Sequence, residues 1–255
     1  MNRPCVNRGG RGSIIRVPGT VQLEQATPLP PEAVAALACW EPRAGEIFTL
    51  VDSCRMFYRA RLAELGPQQA TVVPFQHFVQ PPESPVEIVV YQALPEKERF
   101  ELILQKLTET GVCRIVPYAS SRSITLDERD AGQKKSHRWP EVLLRAARQC
   151  RRAMIPELAP VLGWDEMLKE AAAADLRLMF YEGETCWTFK EAIRGQRPDR
   201  VALLVGPEGG FDAAEAAQAQ AAGVLPVSLG GRILRTETAA ILGAAMIQFS
   251  LGDLG

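Results

Sequence analysis

Two short apolar runs near the end of the chain, each stopped by glycines, predict two buried β-strands. Residues 201–205 are apolar and are followed by Gly206 and Pro207, and residues 224–229 are followed by Gly230 and Gly231. Such runs are typical of strands covered on both faces of a parallel sheet. Because both turns are expected at the same edge of one sheet, where open α/β sheets bind ligands, the pattern predicts a ligand site near the C-terminus.

The residues after each turn carry helix signals. Asp212 can cap a first helix, Glu215 occupies the N3 position of a capping box, and Gly223 can supply a left-handed stop. Thr236 or Thr238 can cap a last helix. In that last segment small and apolar residues recur at helical spacing, namely Ala239, Ala240, Ile241, Ala244, Ala245 and Phe249.

Partly alternating apolar patterns earlier in the chain, at residues 46–51, 57–65 and 70–79, predict a small β-barrel. Prolines interrupt the pattern at residues 80–85, so a domain boundary is expected there. A length of 255 residues with 47% hydrophobic composition suits one large or two modest globular domains with a proper core.

Positive charge is concentrated between residues 134 and 152, in a chain whose net charge is only −1. If residues 139–152 form a helix, Arg145, Arg148 and Arg152 share one face at spacings of three and four, where they can grip phosphates. A solvated face is an equally open interpretation of such a stripe. The same helix would bury a second stripe, made of Val142, Leu143, Ala146, Ala147 and Cys150. The other basic residues of the cluster are Lys134, Lys135, His137, Arg138 and Arg151.

Composition and motif content argue against several function classes. Neither GxGxxG nor GxxxxGK[ST] is present, which disfavours a dinucleotide fold or a phosphate loop. Six cysteines without a CxxC pair and only two histidines disfavour a zinc site, so no metal is expected. No apolar stretch approaches the roughly 20 residues that span a bilayer, and the N-terminus lacks the apolar core of a secretory signal. We therefore expect a cytoplasmic protein with no membrane partner.

The residues of the two turns resemble a known family. LLVGPEGGF at residues 203–211, followed by LGGRILRTETAA at residues 229–240, looks like the two C-terminal motifs of the SPOUT methyltransferases, and specifically of the ribosomal RNA small subunit methyltransferase E family. The resemblance covers most of residues 85–255. It implies methylation of uridine N3 in 16S rRNA by S-adenosylmethionine, with 16S rRNA or the small ribosomal subunit as partner.

The resemblance also implies a fold. Residues 1–80 are expected to form a PUA-like RNA-binding β-barrel with a basic N-terminal tail. Residues 81–255 are expected to form a SPOUT α/β domain whose C-terminal segment is threaded through a loop as a trefoil knot, an exception to the usual rules of chain connection. A homodimer is expected as well.

The family motifs place the cofactor at the two turns. Glycines let the backbone approach an adenine ring, and apolar side chains can cover its faces. A rival interpretation gives Thr236 and Glu237 only the roles of a helix cap and a partner of the helix dipole. The residues expected to bind S-adenosylmethionine are Gly206, Glu208, Gly209, Gly210, Leu229, Gly230, Leu234, Arg235, Thr236, Glu237, Thr238 and Ala239.

Two upstream segments are also similar to family elements. Residues 146–156 resemble the pattern E-Q-S/C-G-R, with Gln149 and Arg152 on matching positions and with Arg148 and Arg151 in place of its glutamate and glycine. Lys106 lies in a Q-K-x-x-E-x-G pattern, although it can equally be a snorkelling side chain at a core boundary. The residues expected to bind RNA are Lys106, Arg145, Arg148, Gln149 and Arg152.

The proposed chemistry makes a demand on the site. Uridine N3 carries a weakly acidic proton that must leave, so a base, solvent or a cation that stabilises the developing negative charge is needed. Arg152 is the candidate for this catalytic cation, and no general base is assigned.

The N-terminal part departs most from the family. Glu41 stands where the family has an arginine, and an acid there should weaken phosphate binding. Two alternatives therefore stay open. One is a non-catalytic RNA-binding relative that retains the fold, and the other is a knotted RNA methyltransferase acting on another base or ribose position.

Overall fold

A computed structural model describes residues 7–95, 97–123, 138–183 and 187–254. The chain divides into two compact units. Among the described residues, the N-terminal unit consists of Arg8–Glu83 and Leu143–Glu157, and the C-terminal unit consists of the rest. Of the basic residues singled out above, Lys134, Lys135 and His137 lie outside the described residues, as does the start of the basic N-terminal tail.

The N-terminal unit is built on a mixed five-stranded sheet, which runs β1-β3-β4-β5-β2; its elements are β1 (Ile15–Arg16), β2 (Thr27–Pro28), α1 (Pro31–Ala38), β3 (Ile47–Val51), β4 (Phe57–Leu65) and β5 (Ala70–His77). Strand β1 is parallel to β3, and the other neighbours are antiparallel. Two register shifts between β4 and β5 act as bulges, which bend and twist the strands. The three strands expected from the alternating patterns are confirmed.

The C-terminal unit contains a seven-stranded sheet in the order β10-β12-β9-β11-β6-β7-β8. Its strands are β6 (Glu87–Ala93), β7 (Arg114–Tyr118), β8 (Glu157–Leu158, which begins on the last residue of the N-terminal unit), β9 (Leu176–Phe180), β10 (Trp187–Thr188), β11 (Arg200–Val205) and β12 (Leu225–Ser228). The registers from β10 through β7 are all parallel. Parallel neighbours need crossover connections, which are usually helices. The helices of this unit are α2 (Lys97–Glu109), α4 (Trp164–Ala171), α5 (Phe189–Ile193), α6 (Ala213–Ala221) and α7 (Thr236–Leu251). Helix α3 (Trp139–Gln149) begins in this unit, and its residues from Leu143 onward belong to the N-terminal unit.

The two strands predicted from the apolar runs are confirmed as β11 and β12. Strand β11 lies between β9 and β6, and its residues from Val201 to Val205 are at most 1% exposed. Burial on both faces explains why this strand reads as a continuous apolar run rather than an alternating one. Because β9, β11 and β12 are parallel neighbours, the turns that follow them come together at one edge of the sheet.

The basic helix is shorter than predicted, because α3 ends at Gln149 rather than at residue 152. Arg151 takes a left-handed backbone conformation, with φ of 64°, and the N–H group of Arg152 returns to the carbonyl of Ala147 at 3.0 Å. A left-handed residue of this kind terminates a helix and favours glycine. The left-handed conformation at residue 151 is one that favours the glycine of the family pattern. Because this chain has an arginine there, its sequence did not predict that the helix ends at this point.

The predicted boundary after residue 80 and the division of the structure are not identical. The division falls after Glu83, inside the proline-rich segment, and Leu143–Glu157 packs with the N-terminal unit. Contacts far apart in sequence produce this arrangement, such as the 2.9 Å hydrogen bond from the Thr49 hydroxyl to the carbonyl of Arg151. Within the described ranges, no helix is long and apolar enough to cross a membrane.

Candidate functional site

A cavity of about 700 Å³ opens at the edge of the C-terminal sheet, between the turns that follow β9, β11 and β12. The turn after β11 contributes Gly206, Glu208, Gly209 and Gly210 from the predicted set. The second predicted segment contributes Leu229, Gly230, Leu234, Arg235, Thr236 and Ala239. Glu237 and Thr238 are not among the lining residues. The structure thus brings most of the predicted ligand-binding residues around one space.

The turn after β11 is fixed at its far end by a capping box, as the sequence predicted. The carboxylate of Asp212 accepts a hydrogen bond from the Glu215 N–H group at 2.7 Å, and the Glu215 carboxylate accepts one from the Asp212 N–H group at 3.1 Å. The bond from the Glu215 N–H group, helped by the Ser121 hydroxyl, lowers the pKa of Asp212. The left-handed stop at Gly223 is confirmed, with φ of 77°.

The start of the last helix differs from the prediction. Neither Thr236 nor Thr238 is its N-cap; Arg235 holds that position and makes no side-chain cap bond. Thr236 is instead the first helical residue, and its buried hydroxyl donates to the carbonyl of Gly206 at 2.6 Å. The same hydroxyl accepts a 3.0 Å hydrogen bond from the side-chain amide of Gln92. One hydroxyl therefore ties the start of α7 to the end of β11 and to β6.

The turn after β7 makes hydrogen bonds to the turn after β11. The sequence gave no indication of these bonds. The Ser121 N–H group donates to Glu215 at 2.8 Å, and its hydroxyl donates to Asp212 at 2.8 Å. The Arg122 guanidinium donates to the carbonyl of Gly209 at 3.0 Å. These bonds connect the turn after β7 to both ends of the Gly209–Glu215 stretch.

A buried tyrosine makes a hydrogen bond to the end of β11, just before the turn at Gly206–Gly210. Tyr118, the last residue of β7, donates its hydroxyl to the carbonyl of Val205 at 3.1 Å. Burial raises the pKa of Tyr118 well above its ordinary value, with a smaller contribution from Glu215, so the hydroxyl stays protonated and keeps its role as a donor. Phe211 packs over the turn, and a Cβ at Gly206 would approach its ring to 3.1 Å. A side chain at this position would therefore require the Phe211 ring to move by a few tenths of an ångström.

Several cavity residues escaped the sequence-based prediction. The turn after β9 contributes Phe180, Tyr181, Glu182 and Gly183. An apolar run followed by a glycine marks this turn too, although no family motif does. Arg99 on α2 also reaches the cavity, where its guanidinium pairs with Glu208 at 2.9 Å. Nothing in the local sequence signals that pair, because its partners are far apart along the chain.

The predicted RNA-binding residues have different surroundings. Arg145 and Gln149 are exposed on α3. Lys106 forms an ion pair with Glu109 at 2.8 Å within α2, and its side chain is 37% exposed. In the N-terminal unit, Arg152 is 4% exposed. These positions do not form one continuous exposed stripe, since helix α3 ends before Arg152.

Arg152 is engaged inside the N-terminal unit. Its Nη2 and Nε atoms donate to the carboxylate of Glu83 at 2.6 and 3.2 Å. The same carboxylate accepts hydrogen bonds from the N–H groups of Ala153 and Met154 at 2.8 and 2.9 Å. Four donors thus converge on Glu83, which is the arrangement of a buried ion pair with its oxygen atoms satisfied.

The two charge departures from the family pattern lie side by side. Arg148 stands where the family has a glutamate, and Glu41 stands where it has an arginine. In the structure the Arg148 guanidinium donates to the carbonyls of Trp40 and Glu41, the latter at 3.0 Å. Its Nη2 atom is also 3.6 Å from the carboxylate of Glu46. The Arg148 guanidinium therefore lies beside the backbone of residue 41 and close to an acidic side chain.

Comparison with known proteins decides the family. A model of the RNA methyltransferase domain matches residues 82–248, which include all the turns around the cavity. The chain belongs to the RNA methyltransferase family. Within the described residues, no group of three or more histidine, cysteine, aspartate or glutamate side chains is arranged to hold a metal ion.

Relatives of this RNA methyltransferase carry a more specific name. Ribosomal RNA small subunit methyltransferase E of Mycobacterium tuberculosis is 32% identical over 216 residues, which cover 83% of this chain and 82% of the relative. The Bacillus subtilis protein of that name is 32% identical over 175 residues, or 66% and 67% of the two chains. The Mesomycoplasma hyopneumoniae protein is 33% identical over 158 residues, and the match spans 66% of its length.

Solved structures give the same family likeness. Ribosomal RNA small subunit methyltransferase E of Neisseria gonorrhoeae, bound to S-adenosylmethionine, is 30% identical with a TM-score of 0.66, and the match covers 94% of this chain and 98% of that one. A Legionella pneumophila methyltransferase in complex with the same cofactor is 33% identical, also with a TM-score of 0.66, covering 94% and 99% of the chains.

Proposed function

We propose that this protein transfers a methyl group from S-adenosylmethionine to N3 of a uridine in 16S rRNA. The observation that carries the proposal is the cavity itself. Its walls are the GPEGG turn and the LGGRILRTETA segment, in a chain related over most of its length to proteins named ribosomal RNA small subunit methyltransferase E. Related structures hold S-adenosylmethionine. Because the proposed substrate is ribosomal, the reaction is assigned to the cytoplasm.

The cavity suits this cofactor in size and chemistry. A space of about 700 Å³ is within the range of small-molecule sites. The turn at Gly209 and Gly210 presents backbone without side chains, which allows close approach of an adenine ring. Leu229 and Leu234 supply apolar surface for its faces. The predicted cofactor residues Glu237 and Thr238 lie just beyond the lining and are retained as neighbours of the ligand.

The chemistry asks the protein mainly for alignment. The sulfonium carries its own leaving group, so the site accelerates transfer by holding the methyl carbon in line with the uridine nitrogen. The turns around the cavity are suited to that task, because hydrogen bonds from Thr236, Ser121 and Arg122 restrain them. Charge that develops on the uracil ring calls for a fixed cation nearby.

We also propose the finer architecture of the family for this chain. The C-terminal segment forms a trefoil knot, the N-terminal unit is a PUA-like RNA-binding barrel, and two copies form a homodimer. The dimer is supported by exposed apolar side chains, since Leu242 and Phe249 on α7 are 40% and 70% exposed and Leu102 on α2 is 41% exposed. For RNA, Arg145 and Gln149 offer exposed contacts, and Lys106, Arg148 and Arg152 remain candidates from the sequence.

Nucleoside mapping tests the proposed reaction. Deletion of the gene in its native host, followed by mass spectrometry of small-subunit rRNA, should remove one N3-methyluridine, and purified protein with S-adenosylmethionine should restore it on the RNA or subunit from the deletion strain. Loss of a different modified nucleoside would favour a methyltransferase of another specificity. Cofactor binding without any modification would favour a non-catalytic RNA-binding relative.

A Thr236→Val variant should weaken cofactor binding. Valine keeps the shape of threonine but leaves the Gly206 carbonyl without its donor, and a lost bond to a partly buried group costs about 1–3 kcal/mol of stability. The same bond holds Gly206 in the turn at Gly206–Gly210, which we propose as part of the cofactor site. The affinity for S-adenosylmethionine should therefore fall roughly tenfold, or about 1.4 kcal/mol. Thermal unfolding and titration calorimetry measure the two effects.

Thr238→Val is the matched control for this variant. Thr238 lies in the same first turn of α7, is exposed and does not line the cavity. The free energy of unfolding should stay at the wild-type value in this control. An equal loss of stability in the two variants would remove Thr236 from the support of the turn at Gly206–Gly210.

A further inference from the structure

The proposed reaction leaves one group to be identified, the cation beside the target base. This inference rests on the proposed function. When N3 of uridine loses its proton, negative charge spreads to the two ring carbonyl oxygens, and a fixed cation in the cavity would stabilise it. Arginine is suited to this role, because it stays charged and presents five N–H donors in a rigid plane. The sequence pointed to Arg152, whose guanidinium is engaged with Glu83.

In the part of the chain that the structure describes, four arginines line the cavity and are the available alternatives. Arg99 is paired with Glu208 at 2.9 Å, which offsets its charge. Arg232 and Arg235 are exposed on the segment after β12, and no hydrogen bond restrains their side chains among the described residues. Arg122 combines exposure to the cavity with a fixed position. A preorganised cation stabilises a developing charge better than one that must be ordered during the reaction.

The position of Arg122 is set by the preceding residue, Ser121, and by the turn at Gly206–Gly210. Ser121 is anchored to Asp212 and Glu215 through two bonds of 2.8 Å. The Nη1 atom of Arg122 donates to the Gly209 carbonyl at 3.0 Å. The aliphatic part of Arg122 lies against Gly209, where an added Cβ would be 3.4 Å from both Cβ and Cδ of the arginine.

Most of the donors of this guanidinium remain available. The bond to Gly209 uses one N–H group of Arg122, and the guanidinium also acts through its charge on the Asp212 carboxylate, where it is the smallest of the contributions that lower the pKa of Asp212. The charge is therefore fixed by the turn that is proposed to hold the methyl donor, while the remaining N–H groups can meet a second molecule in the cavity. A uracil carbonyl oxygen is a suitable acceptor for them.

We propose that Arg122 is a catalytic residue that binds a ring carbonyl oxygen flanking N3 of the target uridine. The N3 proton passes to water or hydroxide, and Arg122 stabilises the resulting uracil anion. The N3 electron pair then forms a bond to the methyl carbon, and the electron pair of the breaking carbon–sulfur bond stays on sulfur. The sulfonium becomes a neutral thioether, and the uracil ring becomes neutral N3-methyluracil.

Single-turnover kinetics test this role. The variants Arg122→Ala and Arg122→Lys are compared with wild type at saturating S-adenosylmethionine, using small-subunit RNA or subunits that lack the modification. The rate constant should fall roughly 100-fold in Arg122→Ala, as for removal of one charge-stabilising donor in other active sites. Arg122→Lys should recover part of the loss, because it restores the charge without the planar geometry.

Two further measurements separate catalysis from support of the turn. The affinity for S-adenosylmethionine, measured by calorimetry, should be unchanged in Arg122→Lys. The methylation rate of this variant should level off at a higher pH than that of wild type, because the uracil anion is less stabilised. Arg197→Ala, at an exposed position that does not line the cavity, is the control and should behave as wild type.

Each other outcome has a defined meaning. A wild-type rate in Arg122→Ala overturns the proposal. A rate loss explained wholly by weaker cofactor binding also overturns it, because Arg122 would then only support the turn. If wild-type protein methylates no uridine N3 on any form of the substrate, the proposed function itself fails, and the role of Arg122 falls with it.

Discussion

An Arg152→Ala variant is expected to unfold with a free energy about 3–5 kcal/mol below that of the wild-type chain, the range measured when one partner of a buried ion pair is removed. The Arg152 side chain is 3% exposed and that of Glu83 is 15% exposed. Truncation leaves the Glu83 carboxylate in a poorly hydrated place without its cation. It would keep only the N–H groups of Ala153 and Met154 as donors.

Chemical denaturation with spectroscopic detection measures this effect. Arg61→Ala is the control in the same unit, because Arg61 is an exposed residue of β4, and its stability should stay close to wild type. A second variant, Glu83→Gln with Arg152→Ala, should recover part of the lost stability, since no unpaired buried charge remains. A loss in Arg152→Ala as small as that of the control would contradict the structural role assigned to this pair.

A Gly209→Val variant should bind S-adenosylmethionine roughly 100-fold more weakly, a change of about 2.8 kcal/mol. A Cβ at residue 209 would already be 3.4 Å from the side chain of Arg122. The additional methyl groups of valine must displace that side chain or extend into the cavity. Either result changes the turn that we propose as the cofactor site.

The fold itself should tolerate this substitution. The backbone of Gly209 is not in the left-handed conformation, and Gly209 is exposed at the edge of the sheet. Gly231→Val is the matched control, because a Cβ there meets nothing within 4 Å and the residue does not line the cavity. Calorimetry should give near wild-type affinity for the control. Tight binding by Gly209→Val would show that the turn after β11 is not part of the cofactor site.

Local signals in the sequence predicted local structure well. The capping box of Asp212 and Glu215 and the stop at Gly223 depend on residues a few positions apart, and both are confirmed. The buried strand β11 was readable because burial on both faces leaves a continuous apolar run. The same apolar pattern placed the residues after β11 and after β12 at one edge of the sheet, where they line one cavity, and the family resemblance added the cofactor that is expected there.

Contacts between distant segments were not readable. The hydroxyl of Thr236 has its partners at Gly206 and Gln92, so a helix cap was the nearest explanation that local sequence offered. The pair of Arg152 with Glu83 joins residues far apart in the chain, and the helical pattern instead placed Arg152 on an exposed face. The left-handed Arg151, which ends the helix before that face, carries no signature in an arginine.

The structure of a crystal soaked with S-adenosylhomocysteine, the demethylated product of the cofactor, tests the central claim most directly. We expect electron density for the product in the cavity, with its adenine between the turn at Gly206–Gly210 and the segment that begins at Leu229. The sulfur atom should face the side where Arg122 lies. Density for the product at another site, with this cavity empty, would contradict the account.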